Sequence, residues 1–495
     1  MRILMFSEPI YPVHPGGAGK CSHSIARGLV ERGHRVHVVS AVEKRRGRHH
    51  QQVDGIEVHW LGTEGLVPPG VGDAEQERTV ADELGKIVEG LRPRDFDLIH
   101  DSGGFLSYFF PLLHRLKRDH ALPLVVQVHF HVLGHLRGCA PPGAIDPLRK
   151  PLQLSEISHQ CFPIRLADCV ISPSATEARA LLHNYRPDPK RLVTLPNALG
   201  RAFFAPGDGG DWRSRLAPRG EKLILFGGRV DSWEKGADYV LRAGHHLLRR
   251  RRDLKLVLLT SDAKSRRRFA QRYGPDHVVA VDWIDSEERM ASLYHAVDVV
   301  LQPSRVEVFG LMALEAMATG TPAVASATGA LPDFIEHGRN GFLLRNPSER
   351  RWPEEMADSV LQILDHPKQA RAMGRRAQAS VQGLRQGPLL DRLESIYRAL
   401  PRAPKREGLV TTPAFDRHDT QRLHELLPAV EPSTLGDHVD RWRRSVSTWC
   451  PRCTLKGLTQ ASSDLGQTHD PHQARRALGP ACPLGVLQMA WLGKR

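Results

Sequence analysis

Two series of short apolar segments, each about as long as a β-strand, place the strongest limit on how this chain folds. The first series comprises residues 2–6, 35–40, 97–100, 122–129 and 169–172, and the second comprises residues 222–229, 254–259, 278–281, 297–302 and 321–325. Stretches with helical periodicity separate the segments. Short buried strands that alternate with helices form parallel, doubly wound sheets. The sequence therefore predicts an α/β protein with two doubly wound domains that face each other across a cleft.

The chain divides into four regions. Glycine and proline are frequent at 196–220, which is typical of a linker, so we place one domain at 1–200 and a second at 201–385. The next stretch carries a single apolar stripe and is predicted to form an amphipathic helix, which we bound at 386–402. Residues 403–495 are less regular and rich in His, Pro, Ser and Thr. We expect a C-terminal extension there, either partly disordered or a small helical unit.

Composition limits the partners of the chain. At 495 residues, 41% of them hydrophobic, it can bury two cores. The net charge of +14 comes partly from three basic runs, at 44–48, 249–252 and 266–268. We interpret these runs as solvated helix ends and loops, and attraction to an anionic membrane surface is the open alternative. No aromatic platform accompanies them, so nucleic acid is not a predicted partner.

The features that bear on localisation indicate the cytoplasm. No segment approaches the roughly 20 apolar residues that cross a bilayer. The apolar run at 1–8 is too short for a signal peptide and is predicted to be a strand. The seven cysteines are few, odd in number and scattered, as expected in a reducing compartment. We therefore expect a cytoplasmic protein, with peripheral contact at the inner membrane face as the open alternative.

The stretch 303–322 places Glu307 in a loop and Glu315 on the helix that follows, with seven residues between them. The helix is expected to begin near Gly310 and to stop at Gly320. A helix N-terminus presents unpaired N–H groups that bind phosphate. The two carboxylates can accept hydrogen bonds from sugar hydroxyls, so the arrangement suits a nucleotide-sugar. The alternative is an ordinary amphipathic helix with two solvated glutamates.

The turn after the first strand, residues 15–20, is rich in glycine but fits neither common phosphate-binding motif. The glycine spacing is wrong for a Walker A loop, and Cys21 stands where Ser or Thr would hold magnesium. A dinucleotide fingerprint would have glycine at the position of Ser22. Glycine in such a turn is often required only by the backbone conformation.

Two groups of side chains raise the question of a metal. His129 is followed by His131 and His135, but no carboxylate or cysteine lies at ligand spacing, so no metal is predicted there. The C-terminal extension contains half of a zinc motif, at Cys450 and Cys453, without a second Cys-x-x-Cys pair. Its other candidate ligands are Cys482 and His469.

Several motifs together resemble those of the family 4 retaining glycosyltransferases, also called glycosyl transferases group 1, over residues 1–400. Residues 303–322 resemble the Glu-x7-Glu signature of that family. Val308 departs from the signature, which usually has Pro at this position. The change affects loop stiffness more than chemistry, because Pro fixes φ and Val only prefers an extended geometry.

The other landmarks of the family have counterparts in this chain. They are the Gly-Gly loop at 15–20, the donor-sugar histidine at His129 with His131 as a rival, the Pro-Asn-Gly element at 195–198 with Ala198 in place of glycine, the Gly-Arg pair at Gly228-Arg229, and the Lys-Gly pair at Lys235-Gly236. Ala198 is expected to change its turn, because alanine resists positive φ.

The resemblance implies the GT-B fold, which has two Rossmann-like domains. Residues 1–200 would bind the acceptor, 201–385 would bind the nucleotide-sugar donor, and the helix at 386–402 would cross back to the first domain. The implied catalytic residues are His129, Arg229, Lys235 and Glu307. The implied donor-binding residues are Gly17, Arg229, Lys235, Glu307, Phe309, Gly310, Leu311 and Glu315.

The implied reaction moves a sugar from a nucleotide-sugar to a hydroxyl acceptor with retention of anomeric configuration, as in a retaining hexosyltransferase. Arg229 and Lys235 would neutralise the departing diphosphate, so no metal cofactor is expected. The leaving phosphate would help to deprotonate the incoming hydroxyl on the same face of the sugar. The acceptor (saccharide, lipid-linked or small molecule) and the donor base stay open, because the first-domain loops carry no readable motif.

Three alternatives remain at the level of sequence. A GT-B sugar-nucleotide epimerase or phosphorylase would share the cleft, but the pyridoxal-bearing lysine element of a phosphorylase is not found. A non-catalytic scaffold would keep the fold without turnover, which is disfavoured by the intact Arg229, Lys235, Glu307 and Glu315. A dehydrogenase would need the glycine fingerprint that is broken at Ser22.

Overall fold

A computed structural model of the chain describes residues 1–10, 16–43, 45–66, 73–103, 109–130, 163–164, 166–185, 187–228, 230–345 and 349–400. These residues form two twisted sheets with helices on both faces, so the prediction of two doubly wound α/β domains is confirmed. The strands of the first sheet are β1 (Arg2–Phe6), β2 (Arg35–Val42), β3 (Arg46–Val53), β4 (Ile56–Thr63), β5 (Leu98–Asp101), β6 (Leu124–Gln127), β7 (Cys169–Ser172) and β8 (Leu192–Thr194). The strands of the second sheet are β9 (Lys222–Gly227), β10 (Leu254–Leu259), β11 (Val278–Val281), β12 (Val299–Gln302), β13 (Ala323–Ser326) and β14 (Phe342–Leu344).

The described helices lie between these strands and after them. They are α1 (Gly17–Glu31), α2 (Asp73–Gly90), α3 (Phe109–His120), α4 (Ala175–Asn184), α5 (Trp212–Leu216), α6 (Ala237–Arg250), α7 (Ala263–Tyr273), α8 (Glu287–Ala296), α9 (Leu311–Thr319), α10 (Leu331–Phe334), α11 (Trp352–Asp365), α12 (Pro367–Ser380) and α13 (Gln386–Ala399). None of them combines the length and the apolar character that crossing a bilayer requires.

The strand order explains where a ligand can bind. It is β3-β4-β2-β1-β5-β6-β7-β8 in the first sheet and β11-β10-β9-β12-β13-β14 in the second. In both sheets the order reverses direction beside a central strand, β1 or β9. Parallel strands buried on both faces read as continuous apolar runs, and β1 and β9 are almost fully buried. Ligands of doubly wound sheets bind at the carboxyl ends of the strands, next to this reversal.

The first sheet has an antiparallel edge that the sequence analysis missed. β3 pairs with β4 through a tight turn at Asp54-Gly55, both of which have positive φ. The described part of the basic run at 44–48 was interpreted as a solvated loop or helix end, and this is wrong for Arg46 to Arg48, which lie in β3. Their side chains are nevertheless exposed, and charged residues on an edge strand discourage pairing with other chains.

The basic runs of the second domain are partly neutralised by aspartates. Arg250 lies 2.6 Å from a carboxylate oxygen of Asp358, and Arg251 contacts two further aspartates. Arg266 pairs with Asp282. These pairs reduce the free positive charge that an anionic surface could attract.

The chain passes between the two domains twice, and the two crossings are hydrogen-bonded to each other. Leu199, in the first crossing, forms an isolated parallel bridge with Arg385 in the second, and its N–H donates to the carbonyl oxygen of Leu384 at 2.9 Å. We call this pair of crossing segments the paired hinge.

Helix α13 follows the paired hinge and packs on the first domain, although the whole second sheet separates it from that domain in the sequence. Leu390 of α13 lies against Gly28 of α1, where an added Cβ would come within 2.4 Å of it. The Tyr397 hydroxyl forms a 2.6 Å hydrogen bond with Nδ1 of His100 on β5, and both side chains are buried. The predicted extension at 403–495 lies outside the described residues.

Candidate functional site

The candidate site is built around the N-terminus of α9. Gly310 caps this helix with φ of 92°, and a Cβ there would lie 2.5 Å from Leu331, so glycine is required for conformation and for space. The Gln302 amide oxygen, at the end of β12, accepts a hydrogen bond of 2.8 Å from the N–H of Ala313. The N–H groups of Leu311 and Met312 keep no hydrogen-bond partner among the described residues. They are available to an anion.

The Glu307 carboxylate lies in the loop before this helix. Its Oε2 atom accepts hydrogen bonds from Lys235 at 3.0 Å and from Gln302 at 2.7 Å. Burial alone would raise its pKa, but the Lys235 ammonium and these hydrogen bonds outweigh burial and lower it. Glu307 is therefore ionised and held in one position. Because an ammonium has three N–H donors, Lys235 can bind Glu307 and a ligand together.

The position of Lys235 depends on a close approach of two loops. Lys235 ends a 3₁₀ turn, and Gly236 follows it with φ of 71°. A Cβ on Gly236 would lie 2.1 Å from the carbonyl oxygen of Pro303, so only glycine lets the loops meet. Arg305 fastens them, because its guanidinium donates to the carbonyl oxygen of Trp233 at 2.8 Å and stacks on the Trp233 ring at 3.4 Å. Stacking of this kind suits the planar guanidinium.

The second carboxylate, Glu315, lies on α9 and has a different environment. The buried Tyr294 hydroxyl on α8 donates to its Oε2 atom at 2.8 Å. Burial raises the pKa of Glu315 to about 7, although Lys20 and the Tyr294 hydrogen bond act in the opposite direction, and Glu287 adds to the rise. Glu315 therefore holds a proton to a higher pH than an ordinary glutamate does. Hydroxyl groups of a ligand that donate to it would favour the ionised form.

The first domain faces this site through the N-terminus of α1, which begins at Gly17. The glycine-rich turn therefore forms the first turn of a helix. Three pairs of residues approach each other across the gap between the domains. On α1, an added Cβ at Gly17 would lie 3.5 Å from Leu311, and the Lys20 ammonium lies 4.9 Å from the ring centroid of Trp283. On α4, the Thr176 hydroxyl donates to Asp333 at 2.6 Å.

His129 follows β6 at the carboxyl end of the first sheet. Its Nε2 atom lies 2.9 Å from the hydroxyl oxygen of Ser102, which follows β5. Loss of contact with water lowers the pKa of His129 to about 4, so the imidazole is neutral at ordinary pH. A neutral imidazole has one N–H donor and one acceptor nitrogen, and which is which depends on its tautomer.

The structure brings most of the predicted site residues together. Lys235, Glu307, Gly310 and Leu311 lie around the N-terminus of α9, with Gly17 opposite. The Phe309 side chain is buried against Phe334, so only its backbone can face a ligand. The predicted residues outside the described part of the chain are Arg229, His131, His135, Cys450, Cys453, His469 and Cys482.

Three residues that support the site were missed by the sequence analysis. Gln302 links Glu307 to the first turn of α9, Arg305 holds the Lys235 loop, and Tyr294 lies beneath Glu315. Gln302 and Arg305 lie within or beside the motif, but nothing in the motif itself gives them a role. In the described residues, no three His, Cys, Asp or Glu side chains are grouped as a metal site would need.

Comparison with known proteins gives consistent matches. The chain fits the family models "Glycosyl transferase 4-like domain" over residues 16–198 and "Glycosyl transferases group 1" over residues 211–380. It is 31% identical over 330 residues to D-inositol 3-phosphate glycosyltransferase 1 of Catenulispora acidiphila, which covers 64% of this chain and 76% of that protein. It is 26% identical over 413 residues to D-inositol 3-phosphate glycosyltransferase of Streptomyces scabiei, which covers 76% of this chain and 86% of that protein.

Solved structures share the fold. Sucrose-phosphate synthase from Thermosynechococcus elongatus aligns with a TM-score of 0.65 and 22% identity over 81% of this chain and 98% of that one. Anabaena HepE, in a complex with UDP-glucose, aligns with a TM-score of 0.60 and 18% identity over 81% of this chain and all of that one, 100%. The two sheets and the helices around them therefore have the GT-B arrangement.

Proposed function

Because the chain belongs to the glycosyl transferases group 1 family and is therefore a glycosyltransferase, we propose that it moves a sugar from a nucleotide-sugar to a hydroxyl acceptor with retention of anomeric configuration. The observation that supports this most strongly is the ion pair of Lys235 and Glu307 beside the open N-terminus of α9. It combines a cation, free N–H groups and a fixed carboxylate in one place, opposite Gly17. These are the groups that recognise a diphosphate joined to a sugar.

The diphosphate would bind the N–H groups of Leu311 and Met312 and the Lys235 ammonium. As the bond to the anomeric carbon breaks, negative charge collects on the leaving phosphate, and a fixed cation stabilises it more in the transition state than in the ground state. Glu307 holds Lys235 in place and accepts hydrogen bonds from sugar hydroxyls. Arg229 remains the predicted second cation.

The nucleoside would bind through Glu315. A carboxylate with a pKa of about 7 gains most from a ligand that donates hydrogen bonds, because the donors replace lost water. The two ribose hydroxyls are such donors. We therefore assign Glu315 to the ribose and Glu307 to the transferred sugar.

The acceptor hydroxyl would lie against the first domain, near Gly17 and His129. Relatives that are named for D-inositol 3-phosphate support a small polyol or saccharide as acceptor. The ion pairs of Arg250, Arg251 and Arg266 weaken the case for docking on an anionic membrane. We expect the reaction to need no divalent metal, since cations of the chain would balance the diphosphate, and turnover should survive EDTA.

The first experiment is release of nucleoside diphosphate from a panel of nucleotide-sugars, with D-inositol 3-phosphate and simple saccharides as acceptors. We expect at least one donor to be consumed, and NMR of the product to show the anomeric configuration of the donor. Lys235→Met and Glu307→Gln should each lower kcat by about a hundredfold or more, as loss of one transition-state contact does. The matched control is Lys86→Met, which removes an exposed lysine of the first domain.

A second measurement separates donor binding from turnover. Nucleoside diphosphates should raise the melting temperature of the parent protein, because a ligand that binds the folded state alone stabilises it. The shift should vanish in Lys235→Met and in Glu315→Ala and persist in Lys86→Met. If no nucleotide binds, or the two site variants bind as the parent does, the donor site is wrongly placed. An inverted product would refute retention alone.

A further inference from the structure

Beneath His129, three hydrogen bonds form a buried chain that the proposed reaction does not yet use. The Ser22 hydroxyl donates to the carbonyl oxygen of Ala18, in the first turn of α1, at 3.0 Å. The hydroxyl oxygens of Ser22 and Ser102 lie 2.7 Å apart, and Ser102 lies 2.9 Å from Nε2 of His129. Both serines are almost fully buried. We call these groups the serine chain.

The Ala18 carbonyl oxygen, at one end of the serine chain, determines which group donates in each hydrogen bond. The Ala18 carbonyl oxygen can only accept, so the Ser22 proton points towards it. Ser102 then donates its hydroxyl proton to the Ser22 oxygen. The remaining hydrogen bond, between Ser102 and His129, must therefore be donated by Nε2–H of His129. In this arrangement each of the three hydrogen bonds has one donor and one acceptor. In the reverse arrangement the Ser22 proton points at Ser102, and two lone pairs face each other at the 3.0 Å contact.

We propose that Ser22 and Ser102 are positioning residues that hold His129 in its Nε2–H tautomer, so that Nδ1 stays free to accept a hydrogen bond from a substrate hydroxyl. The proposal rests on the proposed transfer reaction for the identity of that hydroxyl. The imidazole is neutral at ordinary pH, so a single tautomer is meaningful. Nδ1 has no hydrogen-bond partner among the described residues, which leaves it for the ligand.

The serine chain also links the two halves of the site. Ala18 is the neighbour of Gly17, which faces Leu311 across the gap between the domains. The same helical turn therefore contacts the donor side and fixes the end of the hydrogen bonds that orient His129. Ser22 occupies the position where a dinucleotide fingerprint would have glycine. A glycine there could not carry the proton, so the departure from that motif has a chemical use.

The test is the tautomer itself, measured on protein with 15N-labelled histidine by long-range proton–nitrogen spectra, with His129→Asn used to identify the signal. We expect a protonated Nε2 and an unprotonated Nδ1 in the parent. In Ser22→Ala the Nε2 atom is the acceptor that the described residues leave to the Ser102 proton, so the population should move to the Nδ1–H tautomer. In Ser102→Ala both tautomers of His129 should be populated. A general loss of packing would not invert the tautomer.

Kinetics give the second readout. Ser22→Ala and Ser102→Ala should each lower kcat about tenfold, as expected for one misdirected hydrogen bond, and leave KM for the donor unchanged. Ser102→Thr, which keeps the hydroxyl, should recover kcat if it folds. The control is Ser172→Ala, a fully buried serine that donates to a backbone carbonyl oxygen elsewhere in the sheet.

The outcomes separate this inference from the proposed function. An Nδ1–H tautomer in the parent, or parental tautomer and kcat in both alanine variants, would overturn the inference and leave the donor site untouched. A parent that consumes no nucleotide-sugar would refute the proposed function. In that case the histidine spectra would still decide whether the serine chain sets the tautomer.

Discussion

Lys235→Met tests the ion pair at the centre of the site. The substitution keeps the length of the side chain and removes its charge, which leaves the buried Glu307 carboxylate with neutral donors, such as the Gln302 amide and the Ser304 hydroxyl. The Glu307 side chain is 13% exposed and that of Lys235 is 25% exposed. Removing one partner of a fully buried pair costs about 3–5 kcal/mol. Because Lys235 is partly solvated and Gln302 still donates, we expect a loss of about 2–3 kcal/mol in the free energy of unfolding near pH 8.

The loss should depend on pH. In the parent the folded state lowers the pKa of Glu307, so the pair contributes stability above the unfolded pKa and loses it as pH falls. In the variant, burial is no longer opposed by the ammonium, and the pKa of Glu307 should rise above its ordinary value. The folded variant then holds a proton that the unfolded chain has released. The difference between parent and variant is therefore largest near pH 8 and shrinks towards pH 5.

The assay is urea unfolding followed by tryptophan fluorescence at pH 5 and pH 8. The double variant Lys235→Met/Glu307→Gln should recover most of the stability, since no charge is left unpaired. Arg339→Met is the control in the same domain, because its ion pair is about two-thirds exposed and should be worth less than about 1 kcal/mol. Equal losses at the two pH values, or a double variant no more stable than Lys235→Met, would show that the pair is not buried as described.

Three further substitutions test other parts of the structure. Gly236→Ala should cost at least about 1–3 kcal/mol of stability and abolish nucleoside diphosphate binding in calorimetry, because its φ is positive and the space is filled; parental binding would contradict this. Tyr397→Phe leaves Nδ1 of His100 without its buried partner and should cost about 1–3 kcal/mol in urea unfolding, whereas no loss would mean that this hydrogen bond does not help to hold α13 on the first domain. Tyr294→Phe removes a hydrogen bond that lowers the pKa of Glu315. Nucleotide affinity, which should fall as pH drops through about 7 in the parent, should begin to fall at higher pH in the variant, and an unchanged midpoint would separate Glu315 from the ribose.

The elements that could be predicted from the sequence are those in which burial alone shapes the residue pattern. β7 and β10 lie between helices on both faces, so they read as largely apolar runs, apart from Ser172 in β7 and Lys255 in β10, and their bounds match the predicted ones. β3 is an exposed edge strand of Arg, His and Gln, and its structure comes from backbone pairing with β4. Its one readable signal was the Asp54-Gly55 turn, whose positive φ values suit these two residues.

The site could be predicted where spacing along the chain reflects geometry. Glu307 and Glu315 flank one helix start, so their separation in sequence carries their arrangement in space. Gln302 and Tyr294 could not be found this way, since their roles depend on which atoms meet after folding. The need for glycine at position 236 likewise becomes apparent only in the folded structure, where the carbonyl oxygen of Pro303 leaves no room for a Cβ.

The paired hinge restricts how the two halves of the enzyme can move. A single connecting segment would let one domain rotate, twist and slide against the other, whereas two segments joined by the hydrogen bond between Leu199 and Leu384 act as one hinge axis. Rotation about this axis keeps the hydrogen bond, and sliding of one domain along the other breaks it. Donor and acceptor would therefore be brought together along one arc, which also decides when bulk water is shut out.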